Sequence, residues 1–148
     1  MEITKCLEII LIEDDMNDAE LTIRALKKNK MINNIIHLKD GEEAVDYIFL
    51  QGQYVHRQVT NHPTLILLDL KLPGLSGMDV LRKIKKDEST KYIPIVALTS
   101  SKEHPDVAEC YRLGINSYIV KPVEFDNFST VVTEIGFYWL LLNHPPVP

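Results

Sequence analysis

Short apolar segments alternate with helix-length amphipathic segments along the 148-residue chain, and this alternation strongly constrains the fold. The apolar runs are LEIILI at 7–12, NIIHL at 34–38, LILLD at 65–69, IPIVALT at 93–99 and SYIVK at 117–121. The third run is apolar on both faces, which is typical of a parallel sheet covered on both sides. Strands that alternate with helices pair in parallel through right-handed crossovers. The pattern therefore predicts an α/β fold with a doubly wound, five-stranded parallel sheet.

The segments between the strands carry apolar residues at helical spacing. They predict helices at about 17–29, 40–49, 77–86, 107–113 and 125–142, and Asp40 forms a capping box with Glu43 at the start of the second. The polar stretch at 51–64 is longer than a usual connection and is interpreted as a surface excursion. The arrangement that fits this order is the flavodoxin-like (βα)5 fold with strand order 2-1-3-4-5.

Composition and charge narrow the class of protein. The net charge of −5 does not suggest a nucleic-acid-binding surface, and the two cysteines fit no metal-ligand spacing. The apolar run near the end, IGFYWLLL, is well short of the ~20 residues that a membrane span needs. The first strand ends in acidic residues, so the N-terminus does not resemble a signal peptide. We therefore expect one cytoplasmic domain that binds neither nucleic acid nor membrane.

Polar residues stand at the carboxyl ends of four predicted strands. Glu13 and Asp14 follow the first strand, Asp69 ends the third, Thr99 ends the fourth and Lys121 ends the fifth. In a doubly wound sheet, ligands bind outside these carboxyl ends, at the point where the winding reverses. The sequence therefore predicts one small site built from these five residues.

The side chains at this predicted site suit phosphoryl transfer. Clustered carboxylates raise one another's pKa unless a cation relieves them, and Mg²⁺ is a fitting cation that keeps positions for water and phosphate. A carboxylate beside Mg²⁺ can attack phosphorus and form an acyl phosphate. The Lys121 ammonium and the Thr99 hydroxyl can then stabilise the phosphoryl oxygens.

Several polar residues at or near the strand ends also have an ordinary structural explanation. Asp15 or Asn17 would cap the first helix, a strand-end Thr99 would bond the backbone, and Lys121 would be solvated. A single aspartate such as Asp69 proves nothing by itself. Four strand ends with fitting groups favour a shared site over separate coincidences.

Four motifs carry a resemblance that covers nearly the whole chain. They are IEDD at 12–15, LLDLKLPGLSGMDVL at 67–81, IPIVALTSS at 93–101 and GINSYIVKP at 114–122. With them, the sequence resembles the receiver domain of response regulators in two-component signalling. The resemblance implies that Asp69 accepts a phosphoryl group from a sensor histidine kinase. It implies a phospho-acceptor and not a turnover enzyme, although a receiver assists its own phosphorylation and dephosphorylation.

The same resemblance implies roles for the other site residues. Mg²⁺ would be bound directly by Asp14, Asp69 and the Lys71 carbonyl, and through water by Glu13. Thr99 and Lys121 would hold the phosphoryl group, and Tyr118 would be an aromatic switch that turns inward when Thr99 moves. The Lys121–Pro122 peptide bond would be cis, which would aim the lysine at the site.

Two positions depart from the common receiver pattern. The acidic pair is Glu13–Asp14, where many receivers have two aspartates; this changes the reach of the first carboxylate. The residue two after the acceptor is Lys71, whose side chain is placed to influence the rate at which water attacks the acyl phosphate. The sequence does not give the direction of that influence.

The C-terminal segment suggests how a signal would leave the domain. After Pro122 the sequence has room for one more helix and a tail, so we expect a single receiver domain over 1–148 that acts by protein contact. Its core would span about 7–135, with the helix end and tail at about 136–148 as an interface. The run FYWLLL at 137–142 surrounds a helix with apolar side chains, only part of which the sheet can cover. We expect a homodimer through this helix, with Trp139 or Tyr138 as anchor. The ending GFYWL…NHPP and the loop at 51–64 also resemble single-domain regulators of bacterial phytochrome histidine kinases.

Two alternative functions come from other classes of protein. An aspartate-nucleophile phosphatase of the haloacid-dehalogenase type uses similar residues, but its nucleophile lies on the first strand and a second acid follows two residues later, where Lys71 stands here. A degenerate receiver would serve only as an interaction module. Steady phosphate turnover would favour the phosphatase, and failure to label would favour the module.

Overall fold

The computed structural model describes residues 8–28, 34–58, 63–121 and 124–144. In these residues five strands alternate with five α-helices. The strands are β1 (Glu8–Ile12), β2 (Asn34–Leu38), β3 (Leu65–Leu68), β4 (Ile95–Thr99) and β5 (Ser117–Val120). The helices are α1 (Met16–Lys27), α2 (Gly41–Phe49), α3 (Gly77–Lys86), α4 (His104–Arg112) and α5 (Phe125–Phe137).

The five strands form one parallel sheet in the order β2-β1-β3-β4-β5. Register is continuous across the centre, where Ile12 pairs with Leu38 on one side and with Leu68 on the other. The predicted doubly wound, flavodoxin-like fold and its strand order are confirmed. Because the strands run in parallel, their carboxyl ends share one edge of the sheet.

Each face of the sheet is buried by its own helices. Ile10, Ile12, Ile66 and Leu68 contribute to a core with residues of α2, α3 and α4. The strand residues between them, such as Leu11 and Leu67, pack with α1 and α5 on the other face. The uniformly apolar third run is thus buried on both sides, as its sequence predicts. Among the described residues, no helix is both long enough and apolar enough to cross a membrane.

Side-chain caps set the start of three helices. Asp15 accepts from the backbone N–H groups of Asn17 and Asp18, which supports the capping explanation for Asp15. Asp40 accepts from the Glu43 N–H at 2.7 Å, and Glu43 reaches back to the N–H of Lys39, one residue before the expected partner. Ser76 caps α3 in the same way.

Several predicted boundaries differ from the observed ones. β4 begins at Ile95 and not at Ile93, because the Ile93 N–H closes a turn onto Thr90 and Pro94 has no N–H for the ladder. α4 begins at His104 and not at Val107, since a proline at its second position suits a helix start. The α-helical part of α5 ends at Phe137, and a π-helical turn continues it over Tyr138–Leu142.

The predicted surface excursion after α2 is held against that helix by two of its described residues, Tyr54 and Arg57. It contains a short 3₁₀ turn at Gly52–Tyr54. The Arg57 guanidinium lies 3.7 Å from the centre of the Tyr47 ring and donates to the Tyr47 carbonyl. Tyr54 packs edge-on against the same ring at 5.0 Å.

Candidate functional site

Backbone hydrogen bonds bring the strand ends together. The N–H of Asp69 donates to the carbonyl of Ile12, the last residue of β1, at 3.0 Å. At the other side, the N–H of Lys121 donates to the carbonyl of Thr99 at 2.8 Å. The residues at the ends of adjacent strands therefore lie side by side at the same edge of the sheet. This is the local reason why the side chains predicted from strand ends converge.

The Lys121 ammonium lies at the centre of the site. Its Nζ is 2.5 Å from Glu13 Oε1, 2.8 Å from Asp18 Oδ2 and 3.2 Å from Asp69 Oδ2. The lysine side chain is only 9% exposed, and Glu13 and Asp69 are buried. Charge-assisted bonds in such a shielded place are stronger than surface ion pairs. One cation thus links carboxylates from β1, α1 and β3.

Three carboxylates form a cluster that fits a hard divalent cation. Ligand oxygens of Glu13, Asp14 and Asp69 all lie within 4.8 Å of one another. Asp14 is exposed and the other two are buried, so the cluster opens to solvent on one side. All-oxygen carboxylate sites with an open side suit Mg²⁺ and similar ions. The Lys71 N–H donates to Asp69 Oδ1 at 3.1 Å, which holds the Lys71 backbone next to this cluster.

The two buried carboxyl groups, Glu13 and Asp69, have pKa values that are shifted in opposite directions. Burial, followed by the hydrogen bond with Asp69, raises the pKa of Glu13 to about 8. Burial acts to raise the pKa of Asp69 as well, but the hydrogen bond with Glu13 and the charge of Lys121 outweigh it and lower that pKa. Burial opposes the charge of Lys121, yet its bonds to Asp18 and Glu13 raise the pKa of the ammonium. At neutral pH without a metal, Asp69 is therefore ionised and Glu13 carries the proton.

Thr99 and Tyr118 are joined through the segment that follows β4. Thr99 is fully buried, and its hydroxyl is among the groups that lower the pKa of Asp69. The Tyr118 hydroxyl donates to the Ser101 carbonyl at 2.7 Å, and its half-buried ring packs against the core on the α3–α4 side. Ser101 also donates to Asp106 of α4 at 2.5 Å. Thr99 thus begins the three-residue segment 99–101, and Tyr118 bonds to the last residue of that segment, Ser101.

Glycine at the start of α3 permits the close approach of that helix to Asp69. A Cβ on Gly77 would stand 2.2 Å from the Asp69 carbonyl oxygen and 2.6 Å from the Leu70 Cα. The Gly77 N–H donates to the Leu70 carbonyl at 3.0 Å, which fixes the loop that follows Asp69. Gly74 in the same loop has φ +69°, a left-handed value that favours glycine.

The structure brings together the five residues predicted from the strand ends, and it adds residues that sequence reasoning missed. Asp18 contacts Lys121 directly from the first turn of α1. Ser101 and Asp106 had no sequence signal beyond their proximity to Thr99. The predicted cis bond involves Pro122, which lies outside the described residues.

Comparisons with known proteins point in one direction. A model of the response regulator receiver domain family matches residues 9–133. The probable methanogenesis regulatory protein FilR2 of Methanothrix harundinacea is 37% identical, over 95% of this chain and 88% of its own. The response regulator Rcp1 of Synechocystis is 36% identical, over 89% of this chain and 88% of its own.

Solved structures share the fold as well as the sequence pattern. The phosphorylated cyanobacterial phytochrome response regulator RcpA has a TM-score of 0.90 and 34% identity, covering 97% of this chain and all of that one. The Mn²⁺-bound form of Rcp1 has a TM-score of 0.88 and 35% identity, covering 95% of this chain and 99% of that one. The chain therefore belongs to the response regulator receiver domain family, with phytochrome response regulators among its relatives.

Proposed function

We propose that this protein is a single-domain response regulator that accepts a phosphoryl group from a sensor histidine kinase on Asp69 and passes the signal on by protein contact. The observation that carries the proposal is the Lys121 ammonium, which lies 3.2 Å from an ionised, buried Asp69 beside a carboxylate cluster that fits a divalent cation. The manganese-bound form of the relative Rcp1 supports a divalent metal, and we assign Mg²⁺ to the site.

In the proposed reaction an Asp69 oxygen attacks the phosphorus of a phosphohistidine. The O–P bond forms as the N–P bond breaks, and the histidine nitrogen keeps the electron pair and takes up a proton. Asp69 serves as nucleophile because its lowered pKa keeps it ionised. Asp14, Asp69 and the Lys71 carbonyl would hold Mg²⁺ directly and Glu13 through water. The bound ion would neutralise charge on the phosphoryl oxygens.

The remaining site residues hold the phosphoryl group and report its presence. Lys121 and Thr99 would donate to phosphoryl oxygens from the ends of β5 and β4. Movement of Thr99 would pull on Ser101, two residues later, whose carbonyl now accepts from Tyr118. That link is the proposed route by which the Tyr118 ring changes position on phosphorylation.

The proposed partners follow from the relatives and from the end of α5. RcpA is a phytochrome response regulator, and by analogy we assign a phytochrome-type histidine kinase in the cytoplasm as the source of the phosphoryl group. We also propose a homodimer, with Phe137, Tyr138 and Leu142 at the interface. These three side chains are at least half exposed, whereas Trp139 packs against the core and is the weaker candidate for an anchor.

The phosphorylation proposal is tested by incubating the protein with acetyl phosphate, with and without Mg²⁺, and measuring the intact mass. We expect a single base-labile phosphoryl group that forms only with the divalent cation. Asp69→Asn should abolish labelling, and the control Asp126→Asn, at an exposed aspartate of α5, should label like the wild type.

Each other result supports a different function. Labelling of Asp69→Asn at the wild-type rate would refute the assignment of the acceptor. Continuous release of inorganic phosphate from an ester, without a stable adduct, would favour the phosphatase. A folded protein that takes no label would favour a receiver that acts only as an interaction module.

A further inference from the structure

The Lys121 ammonium contacts one carboxylate that does not belong to the cation-binding cluster. An ammonium has three N–H donors, and the three carboxylates of Glu13, Asp18 and Asp69 accept from them. Among the described residues, Glu13 and Asp69 are members of the cluster whose oxygens can share a metal ion, and Asp18 is not. Asp18 therefore stays available to Lys121 when the other two carboxylates bind elsewhere.

The Asp18 carboxylate is mounted on a helix and not on a strand-end loop. Its N–H donates to Asp15 Oδ1 at 3.0 Å, and its carbonyl accepts the hydroxyl of the buried Thr22 at 2.7 Å. α1 in turn packs against α5 on one face of the sheet. A carboxylate held in this way stays in place while the loops beyond β1 and β3 rearrange around a ligand.

We propose that Asp18 is a positioning residue for phosphoryl transfer, which holds the Lys121 ammonium beside the acceptor while Glu13 and Asp69 turn to the metal ion and the phosphoryl group. This inference rests on the function proposed above. One donor of the ammonium remains bonded to Asp18, and the other two exchange carboxylate oxygens for phosphoryl oxygens. Without Asp18, the flexible lysine side chain has to be ordered during the reaction itself, which costs conformational entropy.

The test measures labelling by acetyl phosphate and Mg²⁺ in the full chain carrying Asp18→Ala, Asp18→Asn, Lys121→Ala and the combinations. Asp18→Ala should lower the rate constant at saturating acetyl phosphate about tenfold, the effect of losing one charge-assisted hydrogen bond. Asp18→Asn keeps an oxygen acceptor and should lose about threefold. In the Lys121→Ala background, Asp18→Ala should have no further effect, because the two residues act as one unit.

The matched control is Glu20→Gln, which removes a charge from the same helix at an exposed residue paired with Arg24. It should label at the wild-type rate. A second measurement needs no phosphodonor: the ammonium protons of Lys121, followed by NMR, should exchange with water faster in Asp18→Ala than in the wild type or in Glu20→Gln.

Three results would overturn the positioning role of Asp18. The first is an Asp18→Ala variant that is labelled at the wild-type rate. The second is an Asp18→Ala substitution that slows labelling by the same factor whether or not Lys121 is present. The third is an exchange rate of the Lys121 ammonium protons that Asp18→Ala leaves unchanged. If Lys121→Ala takes no measurable label, the exchange experiment alone decides. Failure of the proposed function gives a different result, since the wild-type protein would then carry no phosphoryl group on Asp69.

Discussion

In the absence of a metal ion, Glu13 and Asp69 are two buried carboxyl groups beside one lysine. Two carboxylates this close and this deeply buried repel each other, and one Lys121 charge does not neutralise both together with Asp18. Burial above all, followed by the hydrogen bond with Asp69, raises the pKa of Glu13 to about 8, so Glu13 holds a proton at neutral pH. In the metal-free protein this proton contributes stability that is complete below the ordinary pKa near 4.5 and is lost as the pH rises through about 8.

We predict that Mg²⁺ binding becomes tighter as the pH rises toward the raised pKa of Glu13. A metal ion needs the ionised cluster, so below about pH 8 it has to displace the Glu13 proton. The apparent affinity should rise by up to about tenfold per pH unit and level off above that pKa. Calorimetric titration should show proton release on binding. In Glu13→Gln the pH dependence of Mg²⁺ affinity should be lost. A wild-type affinity that is constant between about pH 6 and about pH 8 would show that Mg²⁺ does not displace a proton from Glu13.

The residues of the site were predictable to the extent that strand ends determine them. Glu13, Asp69 and Lys121 directly follow strands and Thr99 is the last residue of β4, and parallel pairing makes such residues neighbours whatever the details of packing. Asp18 lies on a helix, so its contact with Lys121 depends on how α1 crosses the sheet. The local sequence does not encode that crossing, which is why the residue was missed.

At the scale of elements, predictions succeeded where a local signal marks the boundary. α3 has the predicted bounds because Ser76 caps it and Gly77 opens it. The end of α5 lacks such a signal, because the residue after Phe137 is Tyr138, which keeps a helical backbone and is not a glycine. The sequence predicted a single helix there, whereas the structure has a π-helical turn over Tyr138–Leu142.

The close approach of α3 to Asp69 gives a prediction at the scale of elements. Helix propensity alone favours Gly77→Ala by about 1 kcal/mol. The new Cβ, however, would overlap the Asp69 carbonyl oxygen, which backbone movement alone can relieve. We expect the free energy of unfolding to fall by about 3 kcal/mol, as for other overpacked sites, and labelling to slow because Asp69 moves.

Urea unfolding of Gly77→Ala and of Lys86→Ala tests this expectation. Lys86 is an exposed residue of the same helix, so its substitution reports the tolerance of α3 to alanine without the contact. Stability of Gly77→Ala equal to or above that of the wild type would show that α3 can shift away from Asp69 at no cost.

At the scale of the whole molecule, an exposed apolar patch remains at the end of α5. Phe137 and Tyr138 are each 50% exposed and Leu142 is 62% exposed, while Ile135 and Trp139 pack with the core. The sequence predicted that the sheet could cover only part of these side chains. Of the described ones, some pack with the core and the others are exposed, as predicted. Apolar patches of this kind commonly mark protein interfaces.

We predict that the protein is a dimer at micromolar concentration and that Tyr138→Glu makes it a monomer. Two-fold symmetry places the substituted residue in the interface twice, so two unpaired charges would be buried there. Sedimentation velocity gives the mass of the particle, and Tyr92→Glu is the matched control because Tyr92 is an exposed tyrosine outside α5. A wild-type chain that sediments as a monomer, or a Tyr138→Glu variant that stays dimeric, would count against this interface.

The bond between Lys121 and Glu13 joins residues 108 positions apart, and this has a consequence during synthesis of the chain. The ribosome delivers the acidic residues of β1 and β3 well before it delivers β5, and domains fold as units once enough of the chain has emerged. Until Lys121 arrives, the buried carboxylates lack the cation that contacts them in the described part of the chain. A nascent chain that lacks β5 therefore has Asp69 without its lysine partner, and the complete site forms only when the last strand is in place.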